Sequence, residues 1–151
     1  MRRIQTFEVS LKAFIVRGGS ALFVREADSG YWELPGGRID AGEEWDAHAN
    51  VLAREMREEL GAGFAVTFGT EAVTWTRQRP EDGVFQFIVA RIGQPEGTGL
   101  DNTGMGVIEP VLSSEHDAMG WFDLAAARRL GFPERSGYQD GIMALFQLAC
   151  R

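Results

Sequence analysis

The sequence predicts an α/β fold, a mixed sheet with helices on its faces. Three observations carry this prediction. Phe7 to Ile15 alternate apolar and polar side chains, the period of a strand. Trp45 to Leu60 repeat apolar side chains at i, i+4, i+7 and i+8, the period of a helix with one buried face. Two more β-rich runs and a second striped helix follow, and strands on both sides of a strong helix imply a sheet covered by helices. At 151 residues, a single domain over 1–151 with one core is expected.

Taken in order, Phe7, Val9, Leu11, Ala13 and Ile15 alternate with Glu8, Ser10 and Lys12. By Phe14 and Val16 both faces are apolar, so the far end of this strand is expected to be covered on both sides. Gly18-Gly19 reads as a hairpin turn into Ala21 to Val24, and Ala27 to Gly30 as another turn. Tyr31 to Leu34 leads into Pro35-Gly36-Gly37, where the backbone must bend unusually or approach something closely. In the helix after it, Trp45, Ala49, Leu52, Ala53, Met56 and Leu60 form the apolar stripe, and Gly61 stands at the C-cap.

Phe64 to Thr76 is β-rich but interrupted at Gly69, which predicts a bend or bulge. Arg79 to Gly83 is a turn, and Val84 to Ile92 an aromatic and β-branched strand. Gly93 to Gly106 lacks periodicity and reads as a loop. Gly120-Trp121-Phe122 is a short extended piece, and Asp123 is placed to N-cap a helix over Leu124 to Leu130. The last helix begins near Tyr138, with Ile142, Leu145, Phe146 and Ala149 on one face.

Composition narrows the function classes. Net charge is −7 and Lys12 is the only lysine among fifteen basic residues, so the surface lacks the basic field that long nucleic acid requires. The one cysteine, Cys150, excludes an intramolecular disulfide and, with two scattered histidines, makes no zinc site. No apolar run approaches membrane-spanning length, and the first residues lack the apolar core of a signal peptide. The expected compartment is the cytoplasm and no membrane partner is expected; a homodimer is left open.

The chemistry concentrates on the strong helix. Glu55, Glu58 and Glu59 are spaced i, i+3, i+4 and share a face beside the apolar stripe. Like charges so placed repel by a few tenths of a kcal/mol per pair unless a cation neutralises them. Three oxygen donors on a rigid helix suit Mg²⁺ or Mn²⁺.

Gly37, five residues, Glu43, and then Arg54-Glu55-Met56-Arg57-Glu58-Glu59-Leu60-Gly61-Ala62 resemble the signature of the Nudix hydrolases, G-x5-E-x7-R-E-U-x-E-E-x-G-U with U aliphatic. Leu34-Pro35-Gly36 precedes it. Ten residues separate Glu43 from Arg54 where the pattern has seven. Three extra residues are nearly one helical turn, and they lengthen either the helix at its start or the loop before it.

The resemblance implies an α/β/α sandwich and a divalent metal hydrolysing a diphosphate linkage in a nucleoside diphosphate derivative. It implies Glu58 and Glu59 as metal ligands with a backbone carbonyl of Gly36 or Gly37. Glu55 is implied as a further ligand or as the base, and Arg54 as partner of Glu43 or Glu44. Glu115, on a loop before Trp121, is the competing base. Neighbouring His116 reads as a loop hydrogen-bonding residue and His48 as structural.

Arg38 is a candidate phosphate donor or an exposed turn arginine. Trp32 and Trp75 are candidates to stack on a base or to pack in the core, whereas Trp45 and Trp121 read as core. The expected partner is a small nucleotide. By elimination of other subfamily marks, a nucleoside triphosphate giving the monophosphate and pyrophosphate is favoured. A non-hydrolysing nucleotide sensor on the same scaffold, and hydrolysis of ADP-ribose or another nucleotide sugar, are the alternatives.

Overall fold

The computed structural model describes residues 1–96 and 108–151. Seven strands and three helices follow in the order β1 (Glu8–Arg17), β2 (Ser20–Glu26), β3 (Trp32–Glu33), β4 (Gly36–Arg38), α1 (His48–Leu60), β5 (Val66–Gln78), β6 (Phe85–Pro95), β7 (His116–Phe122), α2 (Leu124–Ala127) and α3 (Tyr138–Ala149). Of the loop expected over 93–106, Gly93 to Pro95 complete β6, and 97–106 lies outside the described residues.

β1 organises the sheet. It runs parallel to β6 from Glu8 to Ile15 and antiparallel to β4 over Ser10 to Lys12. Past Gly18-Gly19 its end turns into β2, with Val16 opposite Ala21. β5 is antiparallel to β6, with a register shift between Phe68 and Ala72 where Gly69 predicted a bulge. β7 pairs with β2.

Two apolar layers sandwich this sheet. Leu11, Ala13 and Ile15 face α1 and pack with Val51, Leu52, Met56 and Leu60. Phe14, Trp75, Ile88 and Ala90 face α3 and pack with Tyr138, Ile142, Leu145 and Phe146. The strand's period of two thus sends successive residues to opposite cores, as two-sided burial predicts.

Several sequence expectations are corrected. α1 starts at His48, and Trp45 lies before it, 92% exposed rather than in the core. The three extra residues enlarge the loop, not the helix. Trp75 is buried, its ring edge-on to Tyr138 at 5.0 Å, so its faces are closed to any base. Trp121, by contrast, packs half-buried against the α1-side core as expected, with the Arg17 guanidinium 4.0 Å over its ring. His116 is buried within β7, not on a loop. α2 ends at Ala127, three residues early, although Asp123 caps it as expected, accepting from Ala126 N–H at 2.8 Å. Among the described residues, no helix is long and apolar enough to cross a membrane.

Candidate active site

The two glycines of β4 have separate jobs. Gly36 has φ 135, and a side chain there would collide with the Leu11 carbonyl, so only glycine lets β4 close against β1. Ala13 N–H donates to Pro35 O at 2.9 Å and Ile39 N–H to Val9 O at 3.0 Å. Alternate residues carry such a ladder, which puts Gly37 within it opposite Leu11 and turns the Gly36 peptide outward. Gly36 N–H donates to Glu59 Oε2 at 2.8 Å, and its carbonyl accepts from Lys12 Nζ at 3.2 Å. Gly37 matters for space: a Cβ there would lie 2.5 Å from Glu55 Oε1. Of the two, Gly36 is therefore the one with an outward carbonyl.

The helical acids divide by depth. Glu55 and Glu59 are buried on α1, while Glu58 is exposed and accepts from Arg54 Nη1 at 3.0 Å. Arg54 Nε and Nη2 grip Glu43 Oε2 and Oε1 at 3.0 and 2.7 Å, and Nη2 also lies 3.0 Å from Glu55 Oε1. This hydrogen bonding to Arg54 holds the Glu43 carboxyl below its ordinary range. Glu44 does not share the grip; it accepts from Gly42 N–H at 2.6 Å. Burial raises the Glu55 carboxyl despite Arg54, and pushes Glu59 up to about 7 despite Lys12 and the Gly36 N–H.

A buried ionic layer, which sequence reasoning missed, underlies these acids. Glu33 lies 3.5 Å from Lys12 Nζ, 3.7 Å from His116 Nε2 and 3.9 Å from Arg77 Nη1, and all four side chains are buried. Burial alone would raise the Glu33 carboxyl, but Lys12, His116 and Arg77 hold it at about 2. Burial opposes charge on His116, yet the carboxylates of Glu33 and Glu59 raise its pKa. The sequence signal was available in Lys12, the chain's only lysine, set between Leu11 and Ala13 in a strand covered on both sides.

The helical acids, Arg54, Glu33 and His116 line a cleft of about 760 Å³. Glu55, Glu58 and Glu59 form one wall with Gly36, Gly37 and Arg54; Glu115 and His116 stand on another. Arg38 lies at the rim, half-exposed, donating from Nη1 to Glu8 Oε2 at 3.1 Å. Trp32 stands outside this lining, half-buried and edge-on to Phe122 at 5.2 Å.

The donor set fits a small hard cation. Three carboxylates and an outward carbonyl supply only oxygen, and two of the carboxyls are buried, where charge is costly without a counterion. Among the described residues no three acidic, histidine or cysteine groups are already gathered as a metal shell. Glu55 and Glu59 instead engage Arg54 and the Gly36 N–H, partners a cation can replace or share.

The helix-borne carboxyls face the glycine pair of β4 in the cleft, on a mixed sheet between helices, an arrangement that suits metal-assisted hydrolysis of an acid anhydride. The family model of the NUDIX domain matches residues 7–141, and the chain belongs to the Nudix family. Among solved structures it is similar to the E. coli ORF135 protein, at 25% identity and TM-score 0.66, covering 97% of this chain and 94% of that one. An ADP-ribose pyrophosphatase from Streptococcus suis is 21% identical with TM-score 0.66 over 97% and 94% of the two chains. The E. coli dihydroneopterin triphosphate pyrophosphohydrolase is 14% identical with TM-score 0.66 over 95% and 99%. No curated protein matches.

Proposed function

We propose that this protein hydrolyses a nucleoside triphosphate to the monophosphate and pyrophosphate in a metal-dependent reaction. The observation that carries the metal-dependent hydrolysis is the pair of buried carboxyls, Glu55 and Glu59, on the wall of an open polar cleft; the triphosphate is favoured by elimination of other subfamily marks. Glu58, Glu59 and the Gly36 carbonyl would hold Mg²⁺ or Mn²⁺, which when bound neutralises phosphate charge and lowers the pKa of water.

The chain's own groups do the rest. Glu55 accepts a proton from the attacking water, and its raised pKa makes it the stronger base while Arg54 keeps it oriented. The bond formed joins water oxygen to phosphorus, and the bond broken is the anhydride between the α- and β-phosphoryl groups. Arg38 at the rim meets the leaving pyrophosphate as a charged donor. Glu115 faces the same space as a secondary acceptor. Because Arg54 and Glu43 remain paired across the enlarged loop, the insertion gives no support to a non-hydrolysing sensor.

The test is a panel of nucleoside triphosphates, dinucleoside polyphosphates, ADP-ribose and nucleotide sugars incubated with Mg²⁺, with products identified by mass. Monophosphate and pyrophosphate from a triphosphate are expected. Turnover confined to ADP-ribose or a nucleotide sugar would transfer the substrate to that class. Tight binding without turnover of any compound would make the protein a sensor.

A further inference from the structure

The chain's only lysine holds the carbonyl that faces the helical acids. Lys12 stands directly opposite Gly36 in the β1–β4 ladder, and because Gly36 has no side chain, the lysine stem can cross to its carbonyl. Nζ donates there at 3.2 Å. Lys12 is only 6% exposed, and it lines the adjoining cleft of about 380 Å³, not the main one, whose lining includes Gly36. A carbonyl oxygen has two lone pairs. Lys12 takes one from outside the main cleft and leaves the other to face that cleft.

Gly36 needs such a restraint. Its φ of 135 has no Cβ to fix it, so sterics alone let the following peptide swing. Glu59 Oε2 accepts from the Gly36 N–H at 2.8 Å, which restrains the peptide before this residue and not the carbonyl after it. Among the described residues, Lys12 is the side chain that holds that carbonyl.

An unneutralised ammonium here would repel a cation, since like charges at close range in a buried setting cost several kcal/mol. Glu33 removes that obstacle. Its Oε2 lies 3.5 Å from Lys12 Nζ and both side chains are buried, so Lys12 donates as half of a neutral pair.

We propose that Lys12 is a positioning residue of the metal site: neutralised by Glu33, it aims the Gly36 carbonyl into the cleft for a divalent cation held by Glu58 and Glu59. This rests on the metal-dependent reading above. Lys12 acts through Gly36 and is not itself a ligand, because an ammonium has no lone pair to offer. The sign of one effect separates positioning from charge. If charge alone matters, removing a cation beside the site tightens metal binding. If the ammonium orients a ligand, its loss loosens binding, by roughly 10- to 100-fold for groups of this kind.

The experiment titrates nucleotide-free protein with Mg²⁺ calorimetrically, for the parent, Lys12→Met and the double variant Lys12→Met, Glu33→Gln. The double variant keeps the net charge and leaves no Glu33 carboxylate buried without its cation, so it serves where the single variant folds poorly. Both are expected to raise the Mg²⁺ dissociation constant about tenfold or more. A double variant that melts lower yet binds Mg²⁺ as the parent does, or more tightly, marks a merely structural pair and overturns the inference, with the hydrolysis reading untouched. Because the chain has one lysine, lysine-labelled parent gives one lysine NMR signal. That signal should shift with Mg²⁺ and saturate with the calorimetric binding; a signal that stays in place while Mg²⁺ binds also overturns the inference, with no variant needed. Weakened Mg²⁺ binding in both variants, from a parent that hydrolyses no nucleotide, keeps the role of Lys12 and removes the hydrolysis reading. A parent that binds no Mg²⁺ overturns the inference, and the hydrolysis reading with it if turnover is absent too.

Discussion

Arg54 holds Glu43 through two parallel hydrogen bonds, of 3.0 and 2.7 Å, across a loop three residues longer than the family pattern. The extra length is absorbed in local turns: Glu43 N–H donates to Asp40 O at 3.0 Å and Asp46 N–H to Glu43 O at 2.9 Å. The loop therefore bulges outward, carrying exposed Trp45, while its acidic end stays fixed on α1. The same guanidinium reaches Glu55, so the Glu43 grip sets where the proposed base points.

Glu43→Gln should accordingly lower kcat about tenfold and leave the melting temperature nearly unchanged, because the pair is only part-buried and acts through position. Glu44→Gln should be silent in both, since Glu44 caps only the Gly42 turn. Steady-state kinetics and thermal melts on the two variants check this. Equal losses in both would show that general negative charge near α1, and not the Arg54 grip, supports turnover.

A second prediction concerns Trp75 and Gly141. On α3, Gly141 lies directly against the Trp75 ring, where a Cβ would overlap ring carbons. Glycine to alanine inside a helix normally gains about 0.5–1 kcal/mol. Here the overlap reverses the sign, and Gly141→Ala should destabilise by roughly 1–3 kcal/mol. Trp75→Ala should cost about 3–5 kcal/mol by opening a cavity, with KM for every nucleotide unchanged where the protein stays folded. Chemical denaturation measures the first, and kinetics below the transition the second. A raised KM in Trp75→Ala would restore Trp75 as a base contact.

These outcomes show what the sequence could and could not reveal. Periodicity placed β1 and the buried face of α1, and single residues placed the register shift near Gly69 and the Asp123 cap, because each depends on neighbours close in the chain. Trp45 misled because it continues the helical stripe one turn too far, and periodicity alone does not locate a helix start. The motif identified Glu55 and Glu59 but not the Lys12–Glu33–Arg77 layer beneath them. Those residues come from β1, β3 and β5, and their meeting depends on strand order and register, which a local pattern does not contain. Trp75 was ambiguous for the same reason: its covering surface is α3, more than sixty residues on.

A third prediction separates the two proposed proton acceptors. Glu55 is buried against Gly37 and Arg54, whereas Glu115 stands at the rim and is tied into the fold through its backbone carbonyl, which accepts from Ala27 N–H at 3.0 Å. Glu55→Gln should lower the single-turnover rate by about 10²-fold or more, and Glu115→Gln by less than tenfold. If the larger loss falls on Glu115→Gln, the base lies on the loop before β7, and Glu55 acts as a metal ligand only.

The last prediction follows from the protonation of Glu59. Burial lifts its carboxyl from 4.5 to about 7, against the opposing pull of Lys12 and the Gly36 N–H. Between those two values the folded protein keeps a proton that the unfolded chain has released. That contribution to stability is full below the unfolded value and is lost as pH rises through 7. Metal-free protein should therefore lose on the order of 1–3 kcal/mol between pH 5 and pH 8 from this group. His116, whose pKa is also raised, adds a loss of the same sign, while Glu33, held at about 2, adds none in this window. Glu59→Gln removes the Glu59 share, so the variant's melting temperature should fall less steeply with pH and exceed the parent's at pH 8. Its activity should drop roughly 10²-fold or more, as expected when a group that neutralises and orients the reacting centre is lost. Stabilisation of the parent by Mg²⁺ should grow with pH over the same window, since a cation binds the ionised carboxylate, and it should shrink in the variant. Thermal melts at pH 5, 6.5 and 8, with and without Mg²⁺, measure all three effects. A variant that melts below the parent at pH 8, with normal turnover and an unchanged Mg²⁺ response, would show that Glu59 serves only to hold the Gly36 N–H.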